Sequence, residues 1–175
     1  IVVDRITPCD DLTVDVYMRI EEGDKYYVRD ITWVGNTIYL SDYLSAKLRM
    51  KKGDVYNQKL LNERLSSDDD AIGNEYYNQG YVFYQLDPVE VNIDGDSIDL
   101  EMRIMEGPQA TLNRVTINGN DRLYENVVRR ELRTKPGDLF NKDALERSYR
   151  EIAQMGHFNP ENIQPDVQPD VANGT

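Results

Sequence analysis

The chain has 175 residues, which allows one ordinary domain or two small ones. Its 20 Lys and Arg residues against 32 Asp and Glu residues give a net charge of −12, which argues against a nucleic-acid-binding protein because phosphate recognition requires a basic surface. Hydrophobic residues make up 39% and charged residues 30%, which is typical of a folded, soluble chain.

The single cysteine and the single histidine of the sequence limit which disulfide, metal or catalytic sites the chain can form. Cys9 is the only cysteine, so the sequence has no internal disulfide and no cysteine-based zinc site. His157 is the only histidine, which excludes a multi-histidine metal site within this chain and gives little basis for a histidine-dependent triad. The sequence starts without Met inside the strand-like run 1–3, and we therefore expect a fragment of a longer protein.

An internal repeat sets the expected architecture. An offset of 84 residues, which is the separation of Met18 from Met102, aligns the chain with itself without gaps from about Leu12 to Leu61. The matching pairs are Arg19 with Arg103, Glu22 with Glu106, Gly23 with Gly107, Gly35 with Gly119, Asn36 with Asn120, Leu48 with Leu132, Gly53 with Gly137, Asp54 with Asp138 and Asn57 with Asn141. The chain is therefore predicted to contain tandem units of one fold.

The first predicted element is a hairpin. Apolar residues alternate along its second strand, namely Leu12, Val14, Val16, Met18 and Ile20. We expect residues 1–22 to close a preceding unit that is largely outside this sequence.

The next unit, residues 23–106, opens with a strand and a short helix. Residues 26–34 are rich in β-branched and aromatic side chains, and Gly35 ends the strand. Ser41 is the predicted N-cap of a helix whose inner face carries Leu40, Leu44 and Leu48.

A second, longer helix is predicted next. Asn57 is its expected cap, Gly80 its expected end, and its inner face carries Leu61, Leu65, Ile72 and Tyr76. This segment is eight residues longer than its counterpart in the second copy, which predicts about two additional turns of helix.

A hairpin closes the unit. An extended stretch from Tyr81 to Ile93 leads to a tight turn at Asp94 and Gly95. The return strand, Ser97 to Met105, alternates cleanly, with Ile98, Leu100, Met102 and Ile104 predicted to point inward. The last unit, residues 107–175, repeats this order but is expected to lack its return strand. We therefore expect either pairing between molecules through Leu12–Ile20 or poor order of the terminal residues.

The pattern resembles the POTRA (polypeptide-transport-associated) repeat. The residues that carry the resemblance are Gly35, Asn36, Leu48, Arg49, Gly53, Asp54, Tyr56, Gly80, Tyr81, Glu106 and Gly107, and in the second copy Gly119, Asn120, Leu132, Arg133, Gly137, Asp138, Phe140, Gly156 and His157. His157 departs from the usual aromatic residue. The resemblance implies an α+β fold of tandem β-α-α-β-β domains, each with a three-stranded mixed sheet covered by two helices.

Within that family the chain looks like the fourth and fifth repeats of BamA-type outer-membrane protein assembly factors, with the tail of the third. The resemblance implies a non-enzymatic, periplasmic arm with no cofactor and no metal. It also implies three partners: unfolded outer-membrane proteins, accessory lipoproteins and the protein's own β-barrel outside this sequence. The alternative is a structural spacer of another barrel transporter or a division-type protein, without client binding.

The expected activity is peptide binding at a sheet edge, where unpaired main-chain groups can accept an added strand. The family resemblance places this edge at Tyr81–Val91, with Val82, Phe83, Tyr84, Gln85 and Leu86 as the candidate contacts. The alternative reading of these apolar residues is ordinary core packing. Pro88 suits an edge strand because it has no N–H to donate.

Two groups of acidic residues are weaker candidates, one for a cation site and one for acid–base chemistry. Asp68, Asp69 and Asp70 fall inside a predicted helix, where their carboxylates would diverge, and they are expected to form a solvated face. Asp94, Asp96 and Asp99 flank a turn that Asp favours for backbone reasons. The joint at Glu106, Gly107 and Pro108 is short, so we expect a hinge between the units there.

Overall fold

The computed structural model describes residues 2–8, 14–19, 24–120, 123–163 and 165–170. In chain order the elements are β1 (Val2–Pro8), β2 (Val14–Arg19), β3 (Tyr27–Val34), α1 (Ser41–Leu48), α2 (Gln58–Asn62), a π-helical turn (Glu63–Ser67), α3 (Ile72–Asn78), β4 (Gln85–Asp94), β5 (Ser97–Met105), α4 (Glu125–Arg129), α5 (Lys142–Gln154) and a 3₁₀ turn (Pro160–Asn162).

The complete unit is a three-stranded sheet with helices on one face. Strand β5 lies in the middle, parallel to β3 and antiparallel to β4. Its residues alternate as predicted, because every second side chain faces the helices. The buried core consists of Val28, Leu44, Leu48, Met50, Leu61, Leu65, Ile72, Tyr76, Tyr84, Ile98, Leu100, Met102 and Ile104. The α+β fold with a mixed sheet is confirmed.

The predicted second helix is broken, so the expectation of two additional turns is wrong. Helix α2 ends at Asn62, and α3 begins only at Ile72 after the π-helical turn. The Arg64 side chain explains the break: Nη1 lies 2.8 Å from Asp68 Oδ2 and 2.7 Å from Asp70 Oδ1, and the side chain is only 7% exposed. Asp68, four residues after Arg64, could pair with it in a continuous helix, but Asp70, six residues after, reaches the same cation only because the chain leaves the helical path.

The start of α1 also differs from the prediction. Leu40 is 79% exposed, whereas Leu44 and Leu48 are fully buried as expected. Ser41 is the first helical residue rather than the cap, and its Oγ accepts a hydrogen bond from Asn36 Nδ2 at 3.1 Å. Asn57, by contrast, caps α2 as predicted, because its Oδ1 accepts from the N–H groups of Lys59 and Leu60.

The hairpin predicted at the start of the chain is present. Strands β1 and β2 pair antiparallel, with Val16, Tyr17 and Met18 exposed on β2. Leu12 and Ile20 lie outside the described residues, and the expected pairing between molecules through Leu12–Ile20 stays a prediction.

The second unit repeats part of the local structure of the first, but its described residues form no β-strand, so the described three-stranded sheet belongs to the complete unit. The bridge between Thr111 and Leu139 corresponds to the bridge between Tyr27 and Val55 in the complete unit. Its first helix, α4, buries Val128, whereas Tyr124, the counterpart of Leu40 in the repeat, is exposed as Leu40 is. Its second helix, α5, is capped by Asn141, whose Oδ1 accepts from Ala144 N at 2.8 Å.

Removing the hydroxyl group from either of two stacked core tyrosines, Tyr76 and Tyr84, is expected to change the stability of the fold in opposite directions. The rings of Tyr76 and Tyr84 lie 4.2 Å apart, but only the Tyr76 hydroxyl donates to a carboxylate, that of Glu106 at 3.1 Å. The buried Tyr84 hydroxyl has no partner in the described part of the chain. We expect Tyr84→Phe to stabilise the fold by up to about 1 kcal/mol and Tyr76→Phe to destabilise it by about 1.5–3 kcal/mol. Urea unfolding of both variants measures this, and equal effects would contradict it.

Candidate peptide-binding edge

Strand β4 forms one outer edge of the sheet. It pairs with β5 on one side, and no described strand lies on its other side. The strand begins at Gln85, so Gln85 and Leu86 belong to it, as predicted. The placement of Val82, Phe83 and Tyr84 in the edge strand is wrong.

These three residues form a turn between α3 and β4. The Tyr81 N–H donates to Tyr76 O at 3.0 Å, and the Tyr84 N–H donates to Tyr81 O at 3.2 Å, so this backbone is engaged locally. The Tyr84 ring is buried on Tyr76, and Val82 and Phe83 are half-buried. The alternative reading, core packing, therefore fits Tyr84.

The turn between β4 and β5 fixes which backbone groups of β4 are open. A two-residue turn, Gly95 and Asp96, joins Asp94 to Ser97, and Gly95 has φ +61 as at the first central position of a type II′ turn. The closing pair of such a turn is hydrogen-bonded, and hydrogen-bonded pairs then alternate along β5.

Hydrogen-bonded pairs therefore fall at Ser97 and at every second residue of β5 after it, so Met102, which lies opposite Pro88, is in a non-hydrogen-bonded pair. Pro88 agrees with this count, because a proline is tolerated where its nitrogen faces away from the ladder. The outward main-chain groups therefore belong to Leu86, Pro88, Glu90 and Ile93, and Pro88 contributes only its carbonyl.

The edge combines apolar and acidic side chains. Val91, the extra residue of a bulge between Glu90 and Asn92, and Ile93 are both exposed. Glu90 accepts a hydrogen bond from Tyr56 Oη at 2.9 Å. Burial, together with this carboxylate, raises the pKa of Tyr56 to about 12. An added strand would thus meet both hydrophobic surface and negative charge.

One arginine organises the acidic groups at the turn end of the sheet. Arg29 Nε donates to Asp99 Oδ1 at 2.8 Å, and Arg29 Nη1 lies 3.2 Å from Asp94 Oδ2. The hydrogen bond from Arg29 lowers the pKa of the Asp99 carboxyl and outweighs its partial desolvation. These carboxylates serve as ion-pair partners in the sheet.

The opposite edge, β3, is covered over its first half. Val28 N donates to Asp54 O at 2.9 Å, and Gly53 N donates to Val28 O at 2.7 Å. Tyr56 N also donates to Tyr26 O at 2.7 Å. Strand β4 is therefore the longer open edge of the complete unit.

The repeated motif residues fix loops in both units in the same way. Asn36 Nδ2 donates to Tyr39 O, and Asn120 Nδ2 donates to Leu123 O. The same equivalence holds for two carboxylates: Asp54 accepts from Lys51 N at 2.7 Å, and Asp138 accepts from Lys135 N at 2.8 Å. The motif glycines Gly35, Gly53, Gly80, Gly119, Gly137 and Gly156 all have positive φ.

Contacts across the joint tie the two units together. Asn78 Oδ1 accepts from Asp143 N at 2.9 Å, and Asn78 O accepts from Asn141 Nδ2 at 2.9 Å. A Cβ atom on Gly80 would lie 2.7 Å from the Leu139 side chain, which only a glycine accommodates at φ +84. Tyr81, which follows in the motif, packs against the core.

The predicted hinge residues occupy different environments. Glu106 is buried and accepts hydrogen bonds from Thr37 N at 2.9 Å and Ile38 N at 3.0 Å, whereas Gly107 and Pro108 are exposed. Glu106 is thus an anchor within the complete unit, and a hinge at Gly107 and Pro108 stays a prediction.

The described residues provide neither a metal-binding cluster nor the predicted acidic face. They contain no group of three or more His, Cys, Asp or Glu residues that could hold a metal ion. Asp68 and Asp70 converge on Arg64 instead of forming the predicted solvated face, and only Asp69 is exposed. No helix in the described ranges is both long and apolar enough to cross a membrane.

Comparison with known proteins identifies the family of the fold. The sequence model of the POTRA family, described as surface antigen variable number repeat, matches residues 26–107 and 110–174. An outer membrane protein assembly factor BamA from Neorickettsia risticii is 26% identical over 97% of this chain and 24% of its own length. BamA from Nitratidesulfovibrio vulgaris is 26% identical over 82% of this chain and 18% of its own length.

A solved structure supports the same fold. The crystal structure of Haemophilus influenzae BamA POTRA3-5 has a TM-score of 0.68 and 20% identity, covering 89% of this chain and 62% of that chain. The chain spans less than a quarter of the length of the curated relatives that it matches.

Proposed function

The chain belongs to the POTRA family, and from that premise we propose that it is part of the periplasmic arm of an outer-membrane protein assembly factor. In this role the complete unit receives unfolded outer-membrane proteins by adding a client strand to β4. The relatives named BamA support the assembly role. Docking of accessory lipoproteins is part of the same proposal.

The open edge of β4 is the observation that carries client binding. Its outward N–H and C=O groups at Leu86, Glu90 and Ile93 can continue the ladder that β4 forms with β5. Main-chain bonds are indifferent to side-chain identity, which suits a receptor for many clients. Outer-membrane strands are extended and alternate apolar and polar residues, which suits addition to an edge that carries both apolar and acidic side chains.

The alternative is a spacer without client binding. Removing one outward backbone N–H of β4, that of Glu90, distinguishes the two roles. Glu90→Pro removes the outward N–H while leaving the ladder to β5 intact, whereas Glu90→Ala removes the same carboxylate and keeps the N–H. The probe is a nine-residue peptide in which valine alternates with glutamine, titrated into the isotope-labelled chain and followed by NMR.

We expect the peptide to shift the amides of β4 and Glu90→Pro to weaken binding at least about 5-fold more than Glu90→Ala, the equivalent of one lost hydrogen bond. Shifts elsewhere, or equal effects of the two variants, would favour the spacer role.

A further inference from the structure

The hairpin that contains the proposed edge is strongly acidic. Residues 85–102 include Asp87, Glu90, Asp94, Asp96, Asp99 and Glu101 and contain no Lys or Arg. This segment supplies all of β4 and most of β5, so the negative charge is concentrated where a client strand would dock.

Some of this charge is compensated within the unit. Arg29 pairs with Asp94 and Asp99, and Arg103 Nε lies 2.6 Å from Glu101 Oε1. Neither Asp87 nor Glu90 forms a salt bridge within the part of the chain that the structure describes, because Arg103, which lies opposite Asp87 in the strand register, pairs with Glu101 instead. Asp87 and Glu90 are both exposed.

These two carboxylates, which form no salt bridge, occupy opposite faces of the edge. Asp87 lies opposite Arg103 in the strand register, which places it on the solvent face, and Glu90 lies opposite Leu100, which places it on the helix side. A strand added to β4 would bring the Cβ atoms of its opposing residues within about 4.5–5.5 Å of the Cβ atoms of Asp87 and Glu90. At that separation opposite charges attract and like charges repel.

We propose that the β4 edge selects cationic client strands, that is, extended segments that carry Lys or Arg on the face that lies beside Asp87. This inference rests on the proposed function and adds the class of client to it. The preferred occupant is an alternating segment with positive charge on its polar face, and a segment with Asp or Glu there is rejected. Because the carboxylates are exposed, the preference weakens with salt.

Three peptides of equal length test the selection. Valine alternates with lysine, glutamine or glutamate, and the dissociation constant of each is measured by NMR titration of the full chain at low and at high salt. We expect the lysine peptide to bind about 10-fold more tightly than the glutamate peptide at low salt, with the glutamine peptide between them. The difference should shrink several-fold at high salt.

Two matched charge reversals locate the effect. Asp87→Lys should abolish or invert the order of the peptides, whereas Asp69→Lys, at an exposed acid outside the sheet, changes the net charge equally and should leave the order intact. Thermal unfolding of both variants checks that each remains folded.

The outcomes separate the two proposals. If all three peptides bind β4 with equal affinity, the charge selection is wrong and the proposed function stands. If none shifts the β4 amides, both fail. If both reversals alter the order equally, the preference reflects overall charge and the assignment to Asp87 is overturned. Concentration-dependent shifts of β4 without peptide would identify a second copy of this chain as the occupant instead.

Discussion

Replacing Gly35 with alanine is expected to destabilise the complete unit by about 2–5 kcal/mol. Gly35 adopts φ +88 where the chain leaves β3, and a Cβ atom there would overlap the carbonyl oxygen of Ile104 on β5. A left-handed conformation costs an alanine about 1–2 kcal/mol, and a steric clash in a packed region adds about 1–3 kcal/mol. The clash is with backbone, which cannot rotate away.

Gly53 provides the matched control for this prediction. It has φ +93, but a Cβ atom there would meet nothing within 4 Å. Gly53→Ala should therefore cost only the conformational strain, about 1–2 kcal/mol. Urea unfolding of both variants measures the difference, and equal losses would show that close approach to β5 does not constrain Gly35.

Removing the Glu106 side chain has the second largest expected effect. The carboxylate accepts hydrogen bonds from Thr37 N and Oγ1, from Ile38 N and from the Tyr76 hydroxyl, and thereby joins the end of β5 to the loop after β3 and to α3. Glu106→Ala leaves these donors without a partner, and we expect a loss of about 3–4 kcal/mol. Glu90→Ala removes an exposed carboxylate with one hydrogen bond and should cost less than about 1 kcal/mol. Similar losses for the two variants would contradict the anchor role.

The same residue predicts a dependence of stability on pH. Burial raises the pKa of Glu106, but the hydrogen bonds from Thr37, Ile38 and Tyr76 outweigh it and hold the pKa below the ordinary value of 4.5. Because the folded-state pKa is depressed, this stabilisation is fully present above pH 4.5 and is lost as pH falls through the folded-state value. Glu106→Gln should flatten the loss below pH 4.5, and an unchanged acid limb would rule out this contribution.

Local periodicity was sufficient to predict the elements whose burial is regular. Strand β5 alternates strictly, and its inward residues are all buried, because one face packs against helices and the other faces solvent. The spacing of Leu61, Leu65, Ile72 and Tyr76 predicts one continuous helix after Asn57. Its break depends on Arg64 reaching Asp68 and Asp70, a side-chain contact that periodicity does not record.

The candidate site also has features that the local sequence predicts and features that depend on contacts between distant residues. Pro88 marked the edge strand from sequence, since a missing N–H has direct consequences for a ladder. The start of β4 could not be predicted, because the apolar run before Gln85 has the composition of a strand although its backbone bonds to α3 and to itself. The role of Glu106 was missed, yet Glu22 and Glu106 occupy the same position in the repeat, and that recurrence was the available signal.

Amide hydrogen exchange along β4 tests the central claim most directly, namely that this edge accepts a strand through its main chain. In the free chain, the outward amides of Leu86, Glu90 and Ile93 should exchange quickly, while those of Asp87 and Val89, directed toward β5, are protected. Saturation with the valine–glutamine peptide should slow exchange at the three outward amides and leave the other two nearly unchanged. Exchange at the outward amides that is unaffected by the peptide would contradict strand addition at β4.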